Sequence, residues 1–291
     1  MNNLKIVNLY IYPIKSCQGI EVKSAQVTAK GLCLINNSCN CTVGDRTFML
    51  VNEQGKFLTQ REYPQLATIK VDISDNNLIL SSENNDISPF ELTILEENIS
   101  RKVTVWRDET IGIDQGEEVA KWFKNALKLN TNCYLVKQSP QYIRPINSKY
   151  SLKENQPVSF ADGFPFLLTN TASLAELNHQ LKVKYPQDNL QIPMKNFRPN
   201  IVIDTDTPFI EDTWEEIEIN LIKFKLVKPC SRCIIITTHQ KTGARNPYKE
   251  PLLTLGNFRK TQDGIMFGQN MIALSEGVIH VSSHQTIKHE K

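Results

Sequence analysis

Apolar and polar positions alternate with the two-residue period of half-buried strands through most of the first hundred residues. The runs 4–11, 21–29, 47–51, 66–71, 78–81, 90–95 and 101–105 read as strands. Turn chemistry separates several of them, as at Glu53-Gln54-Gly55-Lys56 and Asp75-Asn76-Asn77. Short strands spaced about a dozen residues apart predict an antiparallel barrel or sandwich. The period then lengthens. Over 117–127, Val119, Ala120, Phe123, Ala126 and Leu127 share one helical face, with two glutamates in the first turn. A second section begins near Tyr142. It opens with a helix over 171–183 that carries Leu174, Leu177 and Leu181 at helical spacing. Strands are expected at 200–203, 216–222, 224–226, 233–238, 271–274 and 277–281, and Pro251 opens a short helix through Lys260. The tail beyond Ser282 is polar and reads as loosely held. The fold class is α+β, rich in β-structure and in two parts, with no internal repeat.

Composition narrows the function classes. Of 291 residues, 40% are hydrophobic and 22% charged, so a packed core is expected rather than disorder. A formal charge of +2 gives no global attraction to a nucleic-acid polymer or an anionic membrane. No apolar run approaches the roughly 20 residues that span a bilayer. The first ten residues lack a signal-peptide pattern. Seven cysteines, an odd number, argue against a secreted disulfide scaffold. A soluble cytoplasmic protein is the expectation.

The chemistry is expected at Lys228-Pro229-Cys230-Ser231-Arg232-Cys233, ahead of the β-branched run Ile234-Ile235-Ile236-Thr237-Thr238. Positive charge beside a thiol favours the thiolate, the form that ligates metal or carries sulfur. Bland readings compete: two buried structural cysteines, a redox dithiol, or half a zinc site completed by Cys39-x-Cys41. Two further clusters shift the balance. Tyr12-Pro13-Ile14-Lys15-Ser16-Cys17 ends the first strand, and Asn196-Phe197-Arg198-Pro199-Asn200 opens another. With Asp45-Arg46 and Thr59-Gln60-Arg61 they place Lys and Arg at several strand ends. Each alone is an ordinary solvated strand end, but together they can cradle a phosphate. No P-loop or dinucleotide-binding glycine motif occurs, and the five histidines show no ligand spacing.

These stretches, with Phe57-Leu58-Thr59-Gln60-Arg61-Glu62, Glu250-Pro251-Leu252-Leu253-Thr254-Leu255 and Phe267-Gly268-Gln269-Asn270, resemble the MOSC family (molybdenum cofactor sulfurase C-terminal domain). They run in the family's order over nearly the whole chain, and are closest in pattern to its YcbX-like and mitochondrial amidoxime-reducing branches. The resemblance implies an N-terminal β-barrel domain over 1–125 and a MOSC β-barrel domain over 126–291, with a molybdenum–molybdopterin cofactor at their junction. By motif position Cys233 would ligate molybdenum, with Ser231 and Arg232 lining the cofactor. Lys15, Ser16, Arg46, Arg198 and Asn200 would hold the pterin and its phosphate, and the loop at Asp162 and Gly163 would add a contact. Gly163 replaces a threonine of the mitochondrial relatives, and Asn270 a tyrosine near the cofactor.

The implied activity is reduction of small N-hydroxylated substrates, including amidoximes, to amines. The ferredoxin cysteine spacing is absent. Electrons are therefore expected from a separate ferredoxin, flavodoxin or flavoprotein reductase. Two alternatives stand beside it: a sulfur carrier or cofactor-handling protein with a Cys233 persulfide, and a metal-free or zinc-stapled binding module.

Overall fold

A computed structural model describes residues 4–35, 41–83, 87–282 and 284–290. The described chain forms twenty strands and three α-helices. Seven strands lie side by side in the order Phe166–Asn170, Ile201–Asp204, Leu4–Ile11, His284–Glu290, Trp214–Ile219, Ile222–Arg232 and Gly264–Ala273. The last also pairs with the first, through Phe166↔Met271 and Leu168↔Gln269, so the sheet closes into a barrel. Closure leaves no long free edge. Its one parallel pair joins Phe166–Asn170 to Ile201–Asp204. The connection runs through the helix Thr171–Lys184, as a parallel pairing requires. Asn170 starts that helix by accepting a hydrogen bond from the Ala172 N–H at 3.0 Å. Ile6, Leu9, Ile11, Phe166, Leu168, Ile217, Phe224 and Met271 pack into one buried cluster from these strands.

The remaining sheets come mostly from the first 138 residues. One has the order Ser100–Val105, Asp108–Asp114, Cys133–Gln138, Phe48–Asn52, and another is the meander Ile69–Ser74, Asn77–Ser82, Phe90–Thr93. The helix Glu117–Ala126 buries Val119, Trp122, Phe123 and Ala126, which pack with Phe48, Leu50, Leu78 and Leu135. A third sheet, Gly277–His280, Ser24–Thr28, Gly31–Ile35 and Cys41–Gly44, joins the two ends of the chain. The first strand belongs to the barrel, and the chain then crosses at Ile14 to bridge Phe48 of the other sheet. Tyr12–Cys17 is thus the seam between the two parts.

The β-rich α+β fold agrees with the sequence reading, but two local expectations do not hold, and several strands were not read at all. The β-branched run after Cys233 is a 3-10 turn, Ile234–Thr237, not a strand. The strand before it, Ile222–Arg232, already supplies the ladder against Gly264–Ala273, and the chain turns at Cys233. A short buried apolar run carries no period that separates strand from turn. The polar tail is not loose. His284–Glu290 forms a strand between Leu4–Ile11 and Trp214–Ile219, a backbone role for which polar residues suffice. The strands Gly31–Ile35, Asp108–Asp114, Cys133–Gln138 and Phe166–Asn170 went unanticipated.

Candidate active site

The seam at Tyr12–Cys17 meets the ends of several barrel strands around one cavity of about 150 Å³. All eleven expected site residues line it: Lys15, Ser16, Arg46, Asp162, Gly163, Arg198, Asn200, Ser231, Arg232, Cys233 and Asn270. Arg61, Phe57, Thr59 and Trp106 line it as well.

Backbone strain marks the place. Ser16, Arg46, Trp106 and Arg198 all hold positive φ, at 70°, 50°, 59° and 55°. A non-glycine residue there costs roughly 1 kcal/mol or more, and such residues concentrate where the fold must aim a group. Arg46 occupies the turn into Phe48–Asn52, where its N–H donates to the Tyr12 carbonyl at 2.6 Å. Arg198 caps the 3-10 turn Met194–Phe197 in the left-handed region, which turns its side chain into the seam.

A hub of fixed polar bonds holds these cations. Asp45 Oδ1 accepts from the Tyr12 N–H and from Asn200 Nδ2, each at 2.9 Å, and its Oδ2 accepts from Arg46 Nη1 at 2.5 Å. Asn200 Oδ1 accepts from the Leu167 N–H at 3.1 Å and from Arg46 at 3.3 Å. The Tyr12 ring lies within 4.4 Å of the Arg46 guanidinium and 4.3 Å of the Arg198 guanidinium. Two like charges thus share one aromatic ring. Arg198 donates Nη1 to the Cys17 carbonyl at 2.6 Å, but its buried Nη2 has no partner. Burial and the neighbouring Arg46 pull its pKa down to about 10.

On the facing wall, burial lowers the pKa of Lys15, although its ammonium donates to the Phe160 carbonyl at 2.8 Å and to Asp162 at 2.5 Å. Surrounding protein opposes ionisation of Asp162, but Lys15, the Trp106 N–H and Arg61 hold its pKa well below the usual carboxylate range. Arg144 fixes this loop from behind. It donates to the carbonyls of Ser159, Ala161 and Asp162 at 2.9, 2.6 and 3.1 Å, and pairs with Asp108. Gly163 has nothing within 4 Å of where a Cβ would stand, so its lack of a side chain leaves open space. Asn270 donates to the Lys228 and Pro229 carbonyls across the ladder, at 3.4 and 3.3 Å.

The two cysteines differ in their partners. Arg232 reaches Cys230 Sγ at 3.0 Å and the Phe197 carbonyl at 2.6 Å, not its neighbour Cys233. The guanidinium on Cys233 is Arg61, with Nη2 at 3.3 Å from Sγ. Arg61 is itself clamped: Arg245 donates to the Gln60 and Arg61 carbonyls at 2.9 and 2.6 Å. The sequence shows Arg61 only as one guanidinium among several beside strands. Cys230 and Cys233 are both free and half-buried, while burial pushes the Cys17 thiol up to about 12. Cys39, half of the conceivable zinc pair, lies outside the described residues. Among the described residues no group of three or more His, Cys, Asp or Glu could hold a metal.

The balance of charge identifies what the cavity fits. Five cations line it (Lys15, Arg46, Arg61, Arg198 and Arg232), against the carboxylate of Asp162 on the wall and that of Asp45 behind Arg46. Buried cations without counter-charge are costly, and the orphaned Arg198 Nη2 is a ready donor for an anion. A phosphate-bearing ligand that also offers a metal to the Cys233 thiolate satisfies both features, so the residues present fit a molybdopterin-type cofactor. The Arg61–Cys233 and Lys15–Asp162 contacts both join residues of the cavity wall.

Comparison with known proteins defines the class. Residues 3–130 match the MOSC N-terminal beta barrel domain and residues 155–284 match the MOSC domain. The chain belongs to the MOSC family. It is 33% identical over 255 residues to mitochondrial amidoxime reducing component 2 of Bos taurus, covering 87% of this chain and 72% of that one. Against mitochondrial amidoxime-reducing component 1 of Homo sapiens the identity is 32% over 287 residues, covering 95% and 80%. It is also 32% identical to the molybdenum cofactor sulfurase of Homo sapiens, over 84% of this chain but 27% of that one. No helix among the described residues is long and apolar enough to cross a membrane.

Proposed function

We propose that the protein is a molybdenum-cofactor oxidoreductase that reduces N-hydroxylated compounds, including amidoximes, with electrons from a separate donor. One observation carries the reading: a free cysteine on the wall of a cavity lined by five cations and one carboxylate, with a buried, unpartnered guanidinium nitrogen. Kinship with proteins named as amidoxime-reducing supports the substrate class.

Cys233 would hold the metal as a thiolate, the soft anionic donor such a centre accepts. Arg198 and Arg46 would take the phosphate, with Asn200 and Asp45 fixing their geometry, and Lys15 and Ser16 would line the pterin. Ser231 and Arg232 line the same wall beside Cys233. When bound, the cofactor would supply two-electron oxygen-atom transfer, so that an amidoxime, two electrons and two protons give an amidine and water. The chain's own part is to orient and to balance charge. Arg61, fixed by Arg245, places a positive charge at the Cys233 sulfur. Asp162, kept ionised by Lys15 and Trp106, offers an acceptor for the amidine N–H groups.

The test uses protein from a cofactor-competent host. With reduced viologen as electron source it should convert benzamidoxime to benzamidine, and without an added donor the purified protein should be inactive. Turnover with NADH or NADPH alone would contradict the need for a donor protein. Molybdenum-loaded protein that reduces no N-hydroxylated substrate would contradict the reaction.

A further inference from the structure

We infer that Trp106 is a specificity-determining residue, a platform at the cavity mouth that selects planar, conjugated substrates. The inference rests on the reaction proposed above for its substrate class, but not for the binding it describes.

Trp106 occupies a place that a tryptophan should avoid. It is the first residue of a two-residue turn between Ser100–Val105 and Asp108–Asp114, where Val105 pairs with Asp108. Its φ is 59°. Tight hairpins put glycine, asparagine or aspartate at positive φ, and a bulky residue there is strained. The residue is also exposed, at 47%, whereas Trp122 and Trp214 are at 6% and 1%. A strained turn and an unburied indole both work against stability, so burial in the core does not explain the residue.

Its contacts all lead to the cavity. The indole N–H donates to Asp162 Oδ1 at 3.0 Å, and Phe57 meets the ring at 5.0 Å in an edge arrangement. The Arg61 guanidinium lies 4.3 Å from the ring centroid, and the same group touches Cys233. Trp106 is therefore one residue removed from the sulfur, oriented by three partners, and still offers aromatic surface to solvent. A flat amidine or nucleobase-like N-hydroxy compound can stack there while its polar end points toward Asp162 and Cys233. An aliphatic substrate buries less area on that surface and lacks the stacking interaction. Stacking of this kind is worth about a tenfold change in affinity.

Two readouts test it. Titration of the purified protein with benzamidoxime should quench the exposed tryptophan fluorescence saturably, and the quench should vanish in Trp106→Phe. In steady-state kinetics with reduced viologen, Trp106→Ala should lower the preference for benzamidoxime over acetamidoxime, as the ratio of kcat/KM values, about tenfold. The loss should appear in KM for benzamidoxime, and Trp106→Phe should restore most of the preference. Equal losses for both substrates, or an unchanged ratio, would overturn the inference, as would a quench that survives in Trp106→Phe. If the wild-type protein reduces neither compound, the reaction is refuted and the titration alone decides the stacking.

Discussion

Arg198 carries an uncomfortable charge in the cavity. It is buried, shares the Tyr12 ring with Arg46, and leaves one nitrogen without a partner. A guanidinium whose pKa is pulled below its ordinary value is less favoured in the fold than in the unfolded chain. That penalty is fully present at neutral pH and is relieved only as pH rises through about 10. Replacing it should therefore relieve the cofactor-free protein. We expect Arg198→Met to leave the apoprotein as stable or more stable by about 1 kcal/mol, even with the Cys17 carbonyl bond lost, while molybdenum content falls severalfold. Urea unfolding and metal analysis read the two effects separately. Destabilisation with full metal content would mean Arg198 is a structural residue. Gly163 offers the opposite case. With open space above it, Gly163→Thr should change stability by less than about 0.5 kcal/mol, and a large loss in thermal unfolding would contradict the open geometry. Residue identities at the strand ends were legible because the Lys15, Arg46, Arg198 and Cys233 clusters are local in sequence. Arg61 was legible as one of the strand-end cations but not as the partner of Cys233, and Trp106 was not read at all, since their partners lie 172 and 56 positions away and only the fold brings them together.

Loops and strand ends, more than regular elements, build the site. Arg144 illustrates how one is held: a single buried guanidinium gathers three carbonyls of the loop that carries Asp162. Arg144→Met should leave those acceptors unpaired and cost about 3 kcal/mol, with loss of cofactor retention as the loop loosens. Unchanged stability in urea would show the loop is held by other contacts. The turn after Cys233 was misread as a strand for a physical reason. Three isoleucines and two threonines satisfy β-propensity, but propensity yields to the ladder that the preceding strand already completes. The last strand was missed for the converse reason: its residues are polar, and its contribution is a backbone ladder on both sides. Ending the chain at Ser282 should open the barrel between Leu4–Ile11 and Trp214–Ile219, and lower the thermal midpoint or abolish soluble protein. A truncated chain with an unchanged midpoint would contradict closure there.

At the scale of the whole molecule, the β-rich architecture could be read from alternating patterns, but not the way in which the chain's two halves interlock. The first strand lies in the barrel among strands from the second half, and Gly277–His280 pairs with Ser24–Thr28. Such long-range pairings leave no periodic trace in sequence. Their consequence is functional, because the seam they create brings Lys15 and Arg46 against Arg198 and Cys233. On the proposed function, this seam holds a molybdenum cofactor through Cys233. The most direct test of that reading is the molybdenum and pterin content of wild type, Cys233→Ser and Cys230→Ser, each purified from the same cofactor-competent host. Near-stoichiometric molybdenum in wild type and Cys230→Ser, with its loss in Cys233→Ser, is the predicted result. Molybdenum retained in Cys233→Ser but lost in Cys230→Ser, or absent from folded wild type, would contradict the account.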